Sequence, residues 1–145
     1  MNIWDCDGWK IIPTNCQVNK NGHAVMGAGL AKQAATRYPD LPKLLGYNLD
    51  KFMNYGPDCY FFKEYKIVAF PTKIHWKDDS DLELIREAAW SLSDFIKNCS
   101  HIHLGERFFI PRVGTGLGNL KWEDVKPILD EYLKDYEDSG KVVYV

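Results

Sequence analysis

The sequence predicts an α/β domain in which helices cover both faces of a largely parallel sheet, a three-layer α/β/α arrangement. Three observations support this fold class. Runs typical of β-strands alternate with runs of helical periodicity along most of the chain. An apolar run that ends at Pro111 leads through three glycines into a helical pattern at Trp122, which is the order of strand, loop and helix in an α/β unit. Residues 1–145 suffice for one such domain, and they contain no internal repeat or linker.

The first part of the chain predicts an opening pair of strands and a helix. Met1 to Trp4 and Lys10 to Cys16 are short apolar runs, separated by residues that favour a turn. Small and apolar residues then recur at helical spacing from Gly29 until Pro39 ends the pattern.

A second helix and a hairpin follow. The helical pattern has Pro42 in its first turn, and the Tyr-Gly-Pro sequence at Tyr55 ends it. Tyr60 to Phe62 and Ile67 to Phe70 are apolar runs joined by four mostly polar residues, so they predict the two strands of a hairpin.

The rest of the chain predicts two helices and two strand regions. Leu82 to Ile96 carries the clearest apolar stripe of the sequence, and Ser80 stands where an N-cap is expected. A strand is predicted within Ile102 to Pro111, a helix from Trp122 to about Tyr136, and a closing strand over Val142 to Val145.

Composition and charge exclude several classes of protein. Hydrophobic residues make up 46% of the chain and charged residues 26%, which is typical of a folded domain. The formal net charge of -2 provides no long-range attraction for a polyanion or a membrane surface, so a small ligand is expected. No apolar run approaches the roughly 20 residues of a membrane span, and no apolar leader begins the chain. Four widely spaced cysteines are typical of a reduced compartment, and we expect a cytoplasmic monomer without a cofactor.

Two glycine-rich loops ahead of helices are candidate anion sites. Gly114 to Gly118 precedes the helix at Trp122, and Met26 to Leu30 leads into the first helix. Glycine brings bare backbone N–H groups close to a ligand, and a helix N-terminus adds partial positive charge, so such loops suit phosphate groups. Together they fit the two ends of one extended phosphorylated ligand. The alternative for each loop is an ordinary tight connection between a strand and a helix.

Few side chains are placed for chemistry. Lys73 follows an apolar strand, where partial desolvation favours a nucleophilic amine, although most lysines are solvated surface groups. Asn15 ends a central strand, where an amide binds either a ligand hydroxyl or its own backbone. His23, beside the first glycine-rich loop, is a second candidate base. His101 and His103 have no cysteine or carboxylate at metal-ligand spacing, so no metal site is predicted.

The order of these motifs resembles that of a macro domain. The resemblance rests on Asn15, on the Met-Gly-Ala-Gly-Leu-Ala sequence from Met26, on Lys73 after Phe-Pro-Thr, and on the Ile-Pro-Arg-Val-Gly-Thr-Gly-Leu sequence from Ile110. It extends along nearly the whole chain, and it is strongest for the branch that contains the DNA ADP-ribosyl glycohydrolase antitoxins and the terminal ADP-ribose protein glycohydrolases. It implies a single macro domain with a mixed, mostly parallel sheet of about six strands.

The resemblance also implies a function. ADP-ribose, or the ADP-ribosyl group of a modified DNA or protein, would lie across the strand ends and be removed by hydrolysis. Lys73 would be the catalytic residue that acts on the anomeric carbon of the distal ribose, and the loop from Gly114 to Gly118 would hold the diphosphate. The implied ligand-binding residues are Asn15, Met26, Gly27, Ala28, Gly29, Leu30, Pro111, Val113, Gly114, Thr115, Gly116, Leu117, Gly118 and Asn119.

Departures from the family pattern keep alternatives open. The protein-type glycohydrolases carry an Asp where this chain has Gly118, which weakens protein deglycosylation; the DNA-type antitoxins do without it and usually accompany a toxin. The acidic residue that binds the adenine amino group has no clear match, and Asp5 and Asp7 are the candidates. One alternative is a phosphatase that processes ADP-ribose 1''-phosphate with His23 or a bound water. The other is a reader that binds ADP-ribose without turnover.

Overall fold

The computed structural model describes residues 2–98 and 105–145 of the chain, and within them five strands form one mixed sheet. The order across the sheet is β2-β3-β1-β4-β5. Strand β2 is antiparallel to β3, and the other neighbouring pairs are parallel. The strands are β1 (Trp9–Thr14), β2 (Tyr60–Phe62), β3 (Ile67–Pro71), β4 (Phe108–Ile110) and β5 (Val142–Tyr144).

Four α-helices complete the domain in the described ranges, and they confirm the predicted three-layer fold class. Helices α1 and α2 pack on one face of the sheet, while α3 and α4 pack against each other on the opposite face. They occur in the predicted order and close to the predicted residues, although the last helix ends two residues after the expected end. The helices are α1 (Gly29–Arg37), α2 (Leu41–Phe52), α3 (Leu82–Asn98) and α4 (Trp122–Asp138).

The central strands are apolar on both sides because helices cover both faces of the sheet. In β3, Val68 and Phe70 face the core beneath α3 and α4, whereas Ile67 and Ala69 face the core beneath α1 and α2. All five residues of β3 are buried. Burial on both faces fixes the register of β3 against β1, and so fixes where the two strands end.

The predicted opening strand from Met1 to Trp4 is wrong. Ile3–Asp5 forms a 3-10 turn instead. The side chain of Asn2 accepts a hydrogen bond from the N–H of Trp4 at 3.0 Å, and this local bond competes with extended structure. Ile3 is buried in the core on the α1 and α2 side of the sheet. The apolar run therefore forms a turn that packs on this core, and it does not form a sixth strand.

The N-terminus of α3 differs by one residue from the prediction. The carboxylate of Asp81 accepts hydrogen bonds from the N–H groups of Glu83 and Leu84 at 2.8 and 3.2 Å, so Asp81 is the cap. The expected cap, Ser80, is buried, and its N–H donates to the carbonyl of Gly118 at 2.9 Å. The residue next in sequence therefore caps the helix, and Ser80 packs beneath the glycine-rich loop.

Some predictions concern residues outside the described ranges. The beginning of the strand predicted from Ile102, and His101 and His103 with it, fall there, whereas Phe108–Ile110 forms β4. The hairpin and the closing strand are confirmed as β2 with β3 and as β5. None of the described helices combines the length and the apolar character that crossing a bilayer requires.

Candidate active site

The carboxyl ends of β3, β1 and β4 lie side by side at one edge of the sheet, because β1 is parallel to both neighbours. Backbone pairing continues past the ends of β1 and β3. The N–H of Thr72 donates to the carbonyl of Thr14, and the N–H of Cys16 donates to the carbonyl of Ile74, each at 2.9 Å. Lys73 lies between the two bonded residues of its segment, so the backbone that carries it is held to the end of β1. Parallel sheets commonly bind ligands at this edge.

The side chain of Lys73 has no fixed partner in the described part of the chain. It is half-buried, and within residues 2–98 and 105–145 no carboxylate forms an ion pair with its amine and no other group hydrogen-bonds it. The segment after it is ordered: the N–H of His75 donates to a carboxylate oxygen of Asp78 at 3.3 Å. An amine in this setting is available to a ligand rather than committed to a salt bridge.

The loop after β4 is closed by its own backbone. The N–H of Leu120 donates to the carbonyl of Gly114 at 2.9 Å, and the hydroxyl of Thr115 donates to the carbonyl of Arg112 at 2.6 Å. Gly114 has a φ of +79°, and a Cβ there would lie 2.9 Å from a methyl of Ile85, so this position requires glycine.

The tip of the same loop presents backbone donors. Within the described ranges, no group accepts a hydrogen bond from the N–H of Gly116, Leu117 or Gly118. Gly116 and Leu117 are exposed, and α4 begins four residues after Gly118 without a side-chain cap. Unfilled N–H groups followed by a helix N-terminus are suited to an anion such as a diphosphate.

Gly118 is the position where the sequence departs from the protein-type glycohydrolases. A Cβ at this position would overlap the hydroxyl of Ser80 and lie 2.5 Å from the carbonyl oxygen of Gly114. The hydroxyl of Ser80 is buried, and it has no hydrogen-bond partner in the described part of the structure. Packing beneath the loop therefore requires glycine at position 118. Sequence reasoning placed Ser80 at the start of a helix but did not find this contact, because it joins residues 38 positions apart in the chain.

Asn15 joins the end of β1 to the first glycine-rich loop. Its amide nitrogen donates to the carbonyl of Val25 at 2.9 Å, and its amide oxygen accepts from the N–H of Gln17 at 2.9 Å. This is the backbone-binding arrangement that the sequence left open. One N–H and one lone pair of the amide remain for a ligand.

The first glycine-rich loop continues from Val25 into α1. Met26 is buried in the α1 and α2 core, whereas Gly27, Ala28 and Gly29 are exposed. Ala28 precedes the helix without a side-chain cap, so the first N–H groups of α1 also remain open to a ligand.

The histidine and acidic candidates lie elsewhere. The backbone of His23 packs against Gly46 of α2, and His23 is among the residues that line a cavity of about 410 Å³ between α2 and the loop before Ala24. None of its described contacts involves Lys73 or the loop after β4, so the phosphatase alternative gains no support.

Asp5 and Asp7 are exposed. The described residues contain no group of three acidic, histidine or cysteine side chains that could hold a metal ion.

The thiols near the site are poor nucleophiles. Burial raises the pKa of Cys16 to about 11, and it raises the pKa of Cys59 further still. The hydroxyl of Tyr60 has its pKa raised to about 12, first by burial and then by the nearby Asp58. These groups stay protonated at neutral pH, so none of them is a candidate nucleophile.

Comparison with known proteins identifies the fold. No family model matches the sequence. The DNA ADP-ribosyl glycohydrolase of Mycobacterium tuberculosis is 29% identical over 133 residues, covering 83% of this chain and 35% of the relative. The protein of the same name from Thermus aquaticus is 28% identical over 140 residues, covering 91% of this chain and 38% of the relative. The chain thus spans little more than a third of the length of these relatives.

Solved structures agree with this result. The macrodomain of Thermus aquaticus DarG superposes with a TM-score of 0.74 at 26% identity, covering 100% of this chain and 93% of that one. The macrodomain of Mycobacterium tuberculosis DarG gives a TM-score of 0.78 at 24% identity, with 100% and 91% covered. The Thermosipho africanus DarTG structure in complex with ADP-ribose gives 0.73 at 24% identity, with 94% and 37% covered. By its sheet order, its layers and these similarities, the chain has the macrodomain fold and is similar to the DarG macrodomains.

Proposed function

We propose that this macrodomain binds ADP-ribose and hydrolyses the bond that joins an ADP-ribosyl group to DNA. One observation carries the proposal: the uncommitted amine of Lys73 and the open N–H groups of the loop after β4 lie at the ends of strands that flank the same central strand, β1. The relatives named DNA ADP-ribosyl glycohydrolase support DNA as the macromolecule.

The geometry suggests how the ligand lies. The N–H groups of Gly116, Leu117 and Gly118, with the N-terminus of α4, bind the diphosphate. The segment from Met26 to Leu30 surrounds the distal ribose. The remaining N–H and lone pair of the Asn15 amide bind the ribose hydroxyls. The diphosphate is thereby fixed before reaction, so that the anomeric carbon reaches Lys73 in a defined orientation.

Lys73 then acts on the anomeric carbon. Its uncharged amine attacks that carbon, the bond from the carbon to the base breaks, and the base leaves with the bonding electrons and takes up a proton. Water next attacks the adduct, which releases ADP-ribose and restores the amine. An alternative is that the charged amine stabilises the negative charge that develops on the leaving base while water attacks the anomeric carbon directly. Both routes consume one water for each ADP-ribosyl group removed.

Release of ADP-ribose tests the proposal. We expect the wild-type protein to convert a single-stranded oligonucleotide with one ADP-ribosylated base into the unmodified oligonucleotide and free ADP-ribose, quantified by chromatography. An ADP-ribosylated peptide is the comparison substrate, and we expect slower release from it because position 118 carries no carboxylate. A protein that binds ADP-ribose yet releases none from either substrate is not a hydrolase.

A reader that binds without turnover is the second candidate. It is favoured by the packing that excludes an acid from position 118. Saturable binding of ADP-ribose with no product from DNA, peptide or ADP-ribose 1''-phosphate would establish it. Release of inorganic phosphate from the last compound would instead indicate the phosphatase.

We further propose that residues 1–145 act as one macrodomain, as a monomer in the cytoplasm. The thiols of Cys16 and Cys59 form no disulfide in the described part of the structure, which supports a reducing compartment. Light scattering at micromolar concentration checks the monomer, and a dimer mass contradicts it.

A further inference from the structure

Trp76 is an exposed aromatic side chain three residues after Lys73. It is 54% exposed, and Ile74 in the same segment is 44% exposed. Single exposed apolar residues are common on proteins, and Trp90 on α3 is 53% exposed as well. Trp76 differs from Trp90 in its position, because it stands beside the candidate catalytic lysine rather than on the outer surface of a helix.

The segment that carries Trp76 is tied to both sides of the candidate site. Toward β1, the N–H of Trp76 lies 3.5 Å from the amide oxygen of Gln17, and a ring nitrogen of His75 lies 3.4 Å from the same oxygen. Toward the loop after β4, the amide nitrogen of Asn119 donates to a carboxylate oxygen of Asp79 at 2.7 Å. The indole is therefore presented from a held backbone, which reduces the entropy lost when a ligand stacks on it.

The charges around Trp76 disfavour the binding of a phosphate backbone. Asp78, Asp79 and Asp81 are exposed in the same segment, and they disfavour close contact with a run of phosphates. The amine of Lys77 lies 5.5 Å from the centre of the Trp76 ring, which leaves one cation beside the aromatic face. A planar, nearly neutral group fits this surface better than a polyanionic backbone does.

We propose that Trp76 stacks on a nucleobase that flanks the ADP-ribosylated nucleotide in single-stranded DNA. The inference rests on the proposed function and assigns the residue that recognises the strand. Three residues span at most about 10 Å of extended backbone, so the indole lies within the reach of a neighbouring nucleotide when the anomeric carbon contacts Lys73. Every base offers a π-face, and an unpaired strand exposes it for stacking on an aromatic side chain.

The test compares kcat/KM on an ADP-ribosylated oligonucleotide with kcat/KM on the ADP-ribosylated mononucleotide, which has no neighbouring base. Trp76→Ala, Trp76→Phe and the matched control Trp90→Ala are assayed for kcat/KM on a single-stranded oligonucleotide that carries one internal ADP-ribosylated base, and on the corresponding ADP-ribosylated mononucleotide. We expect Trp76→Ala to lower kcat/KM about tenfold on the oligonucleotide only, as the loss of one base–aromatic stack predicts. Trp76→Phe keeps most of the activity, and Trp90→Ala behaves as wild type.

Binding measurements separate this inference from the proposed function. By calorimetry, the wild-type protein should bind the ADP-ribosylated oligonucleotide about tenfold more tightly than free ADP-ribose, and Trp76→Ala should lose that gain while its affinity for ADP-ribose is unchanged. Equal losses on oligonucleotide, mononucleotide and ADP-ribosylated peptide would overturn the stacking role, and so would full activity of Trp76→Ala on the oligonucleotide. If the wild-type protein binds ADP-ribose but binds the ADP-ribosylated oligonucleotide no more tightly, the stacking inference is overturned and the proposed function still stands. Failure to bind ADP-ribose removes the proposed function as well.

Discussion

The hydroxyl of Ser80 occupies the space that a Cβ on residue 118 would need. The two residues are also joined through the backbone, since the N–H of Ser80 donates to the carbonyl of Gly118 at 2.9 Å. The start of α3 and the tip of the loop after β4 are consequently one packed unit. This contact leaves no room for a side chain at position 118.

An aspartate at position 118 should destabilise the protein, and the size of the loss should depend on Ser80. We expect Gly118→Asp to lower the free energy of unfolding by about 2 kcal/mol, because a small-to-large change at a packed position forces neighbours to move. Combining it with Ser80→Gly should recover part of the loss, while the carbonyl of Gly114 prevents full recovery. Urea unfolding of the wild type, both single variants and the double variant measures the coupling; strictly additive effects contradict the contact.

Removing the amine of Lys73 should abolish turnover and leave binding intact. We expect Lys73→Ala to release no ADP-ribose from the modified oligonucleotide, with an affinity for ADP-ribose within a few-fold of wild type, because the diphosphate donors are on another loop. In the nucleophilic route Lys73→Arg should also be inactive, since a guanidinium remains charged and is no nucleophile, whereas activity of this variant would favour the charge-stabilising route. Lys97→Ala, which removes an exposed lysine of α3, is the control. Full activity of Lys73→Ala would rule out the mechanism.

A carboxylate at position 116 should prevent ADP-ribose from binding. Gly116→Glu places negative charge beside the N–H groups that are proposed to hold the diphosphate, and we expect at least about a hundredfold weaker binding by titration calorimetry. Gly116→Ala is the matched control, because a Cβ there meets no atom within 4 Å and the backbone is not in the left-handed region. The alanine variant should bind as wild type does, and undiminished binding by Gly116→Glu would place the diphosphate elsewhere.

The half-buried thiol of Cys16 should make the free energy of unfolding depend on pH in the alkaline range. Burial raises its pKa from the ordinary 9.0 to about 11 in the folded protein, so folding favours the protonated form. This contribution is complete below pH 9 and is lost as the pH rises toward 11. Between roughly pH 8 and pH 10 we expect the wild type to lose about 1 kcal/mol more than Cys16→Ala in urea unfolding. Parallel pH profiles of the two proteins would show that the thiol is not desolvated.

Much of the fold could be predicted from the sequence because its signals are local. The apolar stripe of α3, the Pro in the first turn of α2 and the two apolar runs of the hairpin each act within a few residues of themselves. The opening turn was misread for the same reason: Ile3 and Trp4 look like part of a strand, and hydrogen bonds within residues 2–6 outweigh that pattern.

The sequence by itself determined the α/β alternation, the positions of the two glycine-rich loops and the lysine that follows β3. Only the tertiary structure decided the strand order that places the ends of β1, β3 and β4 together, the use of the Asn15 amide to hold Val25, and the packing of Ser80 against Gly118. It also decided that the segment of Trp76 is held between Gln17 and Asn119. Periodicity and capping involve near neighbours, whereas these arrangements join residues far apart in the chain, and close packing rather than residue type selects their partners.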